Sequence, residues 1–286
     1  MSERAGRLSI VATPIGNLED ITLRALRTLR EADLVLAEDT RRTRVLLQQH
    51  GLHKQLSAYH AHSGPRDTER VLEALGNGQH VALVTDAGTP LVSDPGAELV
   101  REAQARGIQV ESIPGASAVL AALTVCGLRT DSFRFLGFLP RQGKRRRAAL
   151  AELVRDRSAC VIFESPQRLA ASLRELAELL PAEREVAVCR ELTKLHEEVV
   201  RGSAAELAEH FAKGARGEIT VVIAGAPADS ESVEEPGEEL DQRIAALLAD
   251  GQSPRDVVRA LASEMPGISK QVLYARVNGI KDAAES

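Results

Sequence analysis

H-V-A-L-V-T-D-A-G-T-P-L-V-S-D-P-G, residues 80–96, is the stretch whose reading decides the fold. Its first five residues form an apolar, β-branched run of one strand's length, and from Thr85 on the residues are Gly, Pro, Thr, Ser and Asp, with Ala87 and one short apolar pair, Leu91-Val92. Gly88 and Gly96 permit positive φ and close backbone approach, while Pro90 and Pro95 fix φ and remove donors, so the loop is stiff. Residues 98–106 then read as a helix. A loop between the carboxyl end of a strand and the next helix is where open α/β sheets bind ligands. Any long surface turn shares this composition, so the stretch alone leaves both readings open. It lacks the lysine of a P-loop, and no G-x-G-x-x-G follows a strand anywhere in the chain.

Working outward, the same grammar recurs. Residues 8–12 read as a strand running into T-P-I-G-N-L-E-D-I-T, with Thr22 capping a helix over 23–31. Residues 34–37 run into E-D-T-R-R-T-R and a helix continuing through Leu47. Residues 56–62 lead to Ser63, Gly64, Pro65 and a helix over 68–75, and residues 110–113 close in P-G-A-S-A. Strands alternating with helices predict a mostly parallel sheet with its polar turns gathered on one rim. A small-residue helix at 120–127 carries the chain into a second α/β unit, with strands near 133–138, 160–163, 185–189 and 219–224 and helices at 144–155, 167–180 and 204–211. The expected organisation is an α/β domain over 1–118, a second over 119–226, an acidic linker at 227–241 and a small all-α tail at 242–286. That tail is richer in basic than acidic residues and carries Ser253-Pro254 and Ser269 as helix starts. A helix-turn-helix and a plain helical or dimerisation element both fit it.

Bulk composition narrows the class. At 286 residues the chain is long enough for two real cores; aromatics are only 2% and Trp is absent, so cores rest on Ala, Val, Leu and Ile, and few rings are available to stack bases. A net charge of -5 argues against a general polyanion binder, though local patches still act. Cys126, Cys160 and Cys189 are widely spaced in apolar surroundings, which reads as reduced, buried and cytosolic. The first apolar run is too short for a signal peptide, and no stretch has the length of a membrane span. Without G-x-S-x-G, H-E-x-x-H or paired C-x-x-C, hydrolase and zinc readings have no anchor, and no metal site is assigned.

Charge gathers at strand ends. Glu38, Asp39, Arg41, Arg42 and Arg44 follow one strand, Glu164 and Arg168 a second, and Glu191, Thr193, Lys194 and His196 a third. Arg141, Lys144, Arg145, Arg146 and Arg147 form a basic run without an acid, at the end of a helix where cations are least favoured and a phosphate backbone is most welcome.

Eight motifs then occur in order: A-T-P-I-G-N-L-E-D-I-T, A-E-D-T-R, Y-H-A-H-S, T-D-A-G-T-P-L-V-S-D-P-G, I-P-G-A-S-A, F-L-G-F-L-P, F-E-S-P-Q-R and C-R-E-L-T-K-L-H-E-E. Together they closely resemble the ribosomal RNA small subunit methyltransferase I family of the tetrapyrrole methylase superfamily, over residues 8–225. The resemblance implies two α/β domains with S-adenosylmethionine in the cleft between them, a homodimer, and 2′-O-methylation of a cytidine ribose in the decoding region of 16S rRNA. Its acceptor would be naked RNA or the assembled small ribosomal subunit. It assigns cofactor contacts to Pro14, to Asp86, Ala87, Gly88, Thr89, Leu91, Val92 and Ser93, and to Ser117, Ala118, Phe163 and Leu192. Gly88-Thr89 stands where the tetrapyrrole enzymes have Gly-Asp before proline, which speaks against a corrin or porphyrin substrate. By their place on strand ends, Asp39 or Glu191 is expected to accept or orient the 2′-proton, with Lys194 and Arg41 stabilising charge or phosphate. A small-molecule methylase that works without the tail, and a nonenzymatic nucleic-acid binder that tolerates loss of the glycine-rich loop, stand as alternatives.

Overall fold

In the computed structural model, residues 6–60, 63–92, 94, 96–227, 238–250, 252–264, 273, 276, 277, 279 and 280 are described. The chain divides into two compact units, Met1–Ala226 and Pro227–Ser286.

The first unit opens with a five-stranded parallel sheet of order β3-β2-β4-β1-β5, built from β1 (Arg7–Val11), β2 (Leu34–Ala37), β3 (Leu56–Ala58), β4 (His80–Val84) and β5 (Gln109–Ile113). Strand β4 is central and buried at every residue, which explains a continuous apolar run instead of an alternating one. Helices α1 (Leu23–Glu31) and α2 (Thr40–Gln49) cover one face through Ala25, Leu29 and Leu47. Helices α3 (Pro65–Gly76) and α4 (Ala97–Ala105) cover the other through Val71, Leu75 and Leu99. Because β1 feeds α1 and β4 feeds α4, neighbouring strands send their chains to opposite faces. The crevice above their carboxyl ends is therefore the topological switch point where such sheets hold ligands.

Helix α5 (Ala118–Val125), capped by the Ser117 hydroxyl accepting from the Leu120 N–H, leads to a second sheet of order β6-β7-β10-β8-β9. Its strands are β6 (Phe133–Phe138), β7 (Ala159–Glu164), β8 (Glu185–Arg190), β9 (Glu198–Ser203) and β10 (Ile219–Ile223). Only β6 and β7 pair in parallel; β7–β10, β10–β8 and β8–β9 are antiparallel, so the carboxyl ends of β6, β7 and β8 share one rim and those of β9 and β10 the other. Strand β9 is an element that the sequence reading leaves as loop. Alternation divides the faces: Cys160, Ile162, Val186 and Val188 point to α6 (Gly143–Arg155), α7 (Leu169–Leu179) and α8 (Ala204–His210), while Val161, Ala187 and Cys189 point to α5. The three cysteines are free and buried, and burial raises the Cys160 and Cys189 thiols to about 11 and about 12.

On the rim away from the crevice, His80 is 1% exposed. The Ser9 hydroxyl donates to Glu111 Oε1 (2.7 Å), so His80 Nε2 carries the proton it shares with Ser9 Oγ (2.8 Å) and Nδ1 is left to accept from Arg7 (3.2 Å). Burial, then the Arg7 charge, lowers the imidazole pKa from 6.5. The folded state thus disfavours protonation, and stability is full above pH 6.5 and declines as pH falls below it. The acid limb of a Tm-against-pH series is expected to flatten in His80→Gln; an unchanged limb would show that the imidazole carries none of it.

The second unit contains α9 (Glu238–Ala249) and α10 (Pro254–Glu264), joined around Leu240, Ile244, Val257, Leu261, Leu273 and Val277 and by the Arg276–Asp241 pair at 2.5 Å. Most of the expected acidic linker, and of the helix expected to start at Ser269, lies outside the described residues. Among the described residues, no helix is long and apolar enough to cross a membrane.

Candidate active site

The crevice is knitted by backbone. Thr13 and Gly88 exchange N–H···O bonds at 2.9 and 3.0 Å, bridging the loops after β1 and β4, and the Thr13 hydroxyl donates to Thr85 O at 3.1 Å. Gly88 has φ of 78°, and a Cβ there would stand 3.3 Å from Ile15 Cγ2, so both conformation and space ask for glycine. Thr89 reaches the third loop, donating to Ala116 O at 3.3 Å. Leu91 also has positive φ, 73°, and turns its side chain down onto the first core.

Over this crevice lies a cavity of about 390 Å³, within the range of small-molecule sites. Gly88, Thr89, Val92, Ser117 and Ala118 form its floor; Phe138, Phe163, Ser165, Pro166 and Thr220 from the second sheet form the opposite wall. Phe163 meets Phe135 and Phe138 edge to face, with centroids 4.9 and 5.6 Å apart. The wall is apolar and the floor offers backbone and hydroxyls, a surface matched to an aromatic heterocycle and a thioether. A second cavity of about 330 Å³, lined by Pro14, Gly16, Arg42, Asp86 and Lys194, adjoins it; Ile15, Ala87 and Glu218 line both.

Lys194 comes from the β8–β9 turn, where Glu191 and Thr193 have φ of 51° and 66° without being glycine. Packing holds that turn. The Asn17 N–H donates to Thr193 Oγ1 at 3.1 Å. A Cβ on Gly16 would come within 2.4 Å of Lys194 Cγ, and one on Gly217 within 2.3 Å of Glu191 Cδ. Lys194 Nζ donates to Glu191 Oε1 (2.7 Å) and Glu218 Oε2 (3.0 Å). Desolvation pulls the ammonium pKa down, but these hydrogen bonds and charges outweigh it and raise it above 10.5. Glu191 is lowered by Lys194 and by the Glu218 N–H.

The other carboxylates differ sharply. Asp39 caps α2, is chelated by Arg41 (2.6 Å) and is held far below the usual range by that guanidinium; Arg41 itself is 85% exposed. Asp86 accepts the Asp39 N–H (2.9 Å) and pairs with Arg42 (3.3 Å), yet burial, reinforced by Glu38, raises its pKa. Behind it, Thr85 Oγ1 lies 2.9 Å from Glu38 and 2.8 Å from Asp94. A hydroxyl has one proton to give, so it serves one carboxylate at a time, and burial raises the Asp94 pKa.

The sequence-expected residues therefore separate. Gly88, Thr89, Val92, Ser117, Ala118 and Phe163 line the first cavity; Pro14, Asp86 and Lys194 line the second, and Ala87 lines both. Glu191 stands behind Lys194. Asp39 and Arg41 line neither cavity, and Leu91 and Leu192 are packed into cores. Ser93 lies outside the described residues. Phe138, Thr220 and Glu218 were missed as wall residues, while Arg42, named with the charged strand end, lines the second cavity. Phenylalanine itself was a usable signal, since three of the chain's five converge on this wall.

Two α/β halves closing over a glycine loop at the switch point define a methylase class: residues 7–208 match the family model described as Tetrapyrrole (Corrin/Porphyrin) Methylases. Within that class, the chain belongs to the ribosomal RNA small subunit methyltransferase I family. A protein of that name from Mesorhizobium japonicum is 46% identical over 277 residues, covering 97% of this chain and 93% of its own. One from Mycobacterium tuberculosis is 44% identical, covering 96% and 95%. One from Thermotoga maritima is 49% identical over 221 residues, 77% of this chain and 99% of its own, which leaves that protein no room for a unit like Pro227–Ser286. Solved structures share the fold at lower identity. The uroporphyrin-III C-methyl transferase from Thermus thermophilus, complexed with S-adenosyl homocysteine, has a TM-score of 0.55 at 22% identity, covering 76% of this chain and 97% of that one. A diphthine synthase has 0.59 at 19%, covering 76% and 90%.

Proposed function

We propose that this chain is an S-adenosylmethionine-dependent methyltransferase acting on the ribose 2′-oxygen of a cytidine in the decoding region of 16S rRNA. Its acceptor is the RNA in the assembled small ribosomal subunit. The observation that carries the reading is the pairing of two adjoining cavities, one apolar and backbone-lined, the other holding an ammonium and a carboxylate of raised pKa. The names of the relatives supply the class of acceptor.

Gly88, Thr89, Val92, Ser117, Ala118 and Phe163 would hold the cofactor, with Pro14 and Ala87 at its reactive end. When bound, it supplies an electrophilic methyl group on a sulfonium. The chain's own task is alignment of a poor nucleophile and disposal of its proton. Asp39 and Glu191 are stabilised as anions by their cationic partners and so are weak bases. Asp86 is the better acceptor: it lines the second cavity, and burial raises its pKa. Lys194, oriented by Glu191 and Glu218, stabilises negative charge on the substrate oxygen or its phosphate. Arg41, exposed beside the α2 cap, is left to a phosphate outside the cavity. A homodimer is supported by Leu120 and Phe133, each about half exposed and lining one surface depression.

The acceptor class is tested by incubating the full chain and labelled S-adenosylmethionine with small ribosomal subunits, free rRNA and a tetrapyrrole mixture in parallel. Label in the subunit RNA is expected; label in the tetrapyrroles would overturn the reading in favour of a small-molecule methylase.

A further inference from the structure

We propose that the β6–α6 turn and the first turn of α6 form the docking surface for the RNA phosphate backbone beside the target nucleotide; this rests on the acceptor being RNA. Of the five basic residues there, Arg146 is structural. It is 8% exposed and donates to Glu175 (2.7 Å), to Pro140 O (3.0 Å) and to Ser172 Oγ (3.1 Å). The other four, Arg141, Lys144, Arg145 and Arg147, are exposed, and none makes an ion pair or side-chain hydrogen bond among the described residues. The turn has no acid, and its N-cap, Gln142, makes no side-chain hydrogen bond. Cations at the positive end of a helix, without a counter-charge, destabilise it until an anion arrives. In a chain of net charge -5, four such groups together are a local reversal of sign.

The same hydrogen bonds place this patch against the active site. Ser172, which accepts from Arg146, donates to Glu164 Oε2 at 2.5 Å, and Glu164 and Phe138 both belong to the cavity wall. Arg168 fixes the intervening turn by donating to Leu139 O at 3.2 Å. At the far end of α6, Arg184 binds the Leu153, Val154 and Asp156 carbonyls. The helix is therefore fastened at both ends, and Arg141 follows Phe138 by three residues, at most ~11 Å of chain. A backbone gripped here runs past the mouth of the cavity. The compositional bias of the C-terminal unit offers a rival site, but the Thermotoga maritima relative has no room for such a unit.

The test uses the full chain with Arg141, Lys144, Arg145 and Arg147 all changed to Gln, beside a charge-keeping Arg141→Lys/Arg145→Lys/Arg147→Lys variant. Fluorescence anisotropy measures binding to a decoding-region RNA oligonucleotide across a salt series, and initial rates give KM and kcat. Losing four phosphate contacts is expected to flatten the slope of log K against log salt by about 3 and to raise KM for RNA by ~10- to 100-fold. Affinity for S-adenosylmethionine stays at the wild-type value, which also certifies the fold, and the lysine variant keeps the wild-type slope. A glutamine variant with wild-type slope and KM would overturn the proposal. Wild-type chain that binds RNA with the steep slope, loses it in the glutamine variant and yet transfers no methyl would uphold the patch and overturn the reaction.

Discussion

Lys194→Ala is expected to reduce methyl transfer to RNA by about 10²-fold or more, the cost of losing a preorganised charge aimed at a developing anion, while S-adenosylmethionine affinity stays close to wild type. The split follows from geometry, because Lys194 lines the second cavity and not the one containing Ala118 and Phe163. Its ammonium is fixed by two carboxylates and by a turn that accepts two left-handed non-glycine residues to present it. Strain of that kind persists where the surrounding packing over-determines it, and here Gly16 and Gly217 leave no room for the turn to relax. Lys194→Arg should recover part of kcat. Single-turnover rates at saturating cofactor separate the outcomes: an alanine variant with wild-type kcat would remove Lys194 from the chemistry. The pH profile adds a second check: with its pKa above 10.5, Lys194 stays charged through neutrality, so any rise in rate with pH is expected to follow ionisation of Asp86, which accepts a proton only when ionised.

Ala118→Phe carries the largest expected effect on the cofactor. Ala118 is the first residue of α5, partly exposed and facing Phe163 across the first cavity. A helix start accepts a larger side chain, and a ring that enters the cavity takes the cofactor's space. Overfilling a packed site costs about 1–3 kcal/mol, which corresponds to roughly 5- to 150-fold in affinity. Calorimetric titration with S-adenosylmethionine should therefore show binding weakened to that extent, with Tm of the free protein little altered. Undiminished affinity would move the cofactor out of this cavity and take the proposed site with it.

Legibility of the fold followed the physics of each sheet. The parallel strands β1, β2 and β4 are buried on both faces, so each is a short apolar run closed by turn residues, which a sequence displays directly. Strand β3 shrank from the expected 56–62 to Leu56–Ala58, since an edge strand pairs on one side only. Strand β9 escaped notice for a related reason: E-V-V-R-G-S is a partly exposed edge strand, and the turn before it is made by Glu191 and Thr193 without a glycine to mark it. Strand direction in the second sheet was equally silent, because antiparallel pairing of β10 between β7 and β8 is set by long connections.

The site divided along similar lines. Glycine and proline marked the loop that floors the first cavity, and F-L-G-F-L-P and F-E-S-P-Q-R contain Phe138, Phe163, Ser165 and Pro166 of the opposite wall, whereas Gly217, Glu218 and Thr220 belong to none of the eight motifs and join them only in three dimensions. The basic run concealed two roles. The spacing of Arg146, Leu150 and Leu153 places all three on the buried face of α6, a helical period that separates the structural arginine from its four exposed neighbours.

The most direct measurement is the chemical position of the methyl group. Small subunits methylated by this chain would have their rRNA digested to nucleosides and analysed by mass spectrometry. The account predicts a methyl on the ribose of a single cytidine in the decoding region, 2′-O-methylcytidine. A methyl on a base, or none in RNA while the chain binds S-adenosylmethionine, would contradict it.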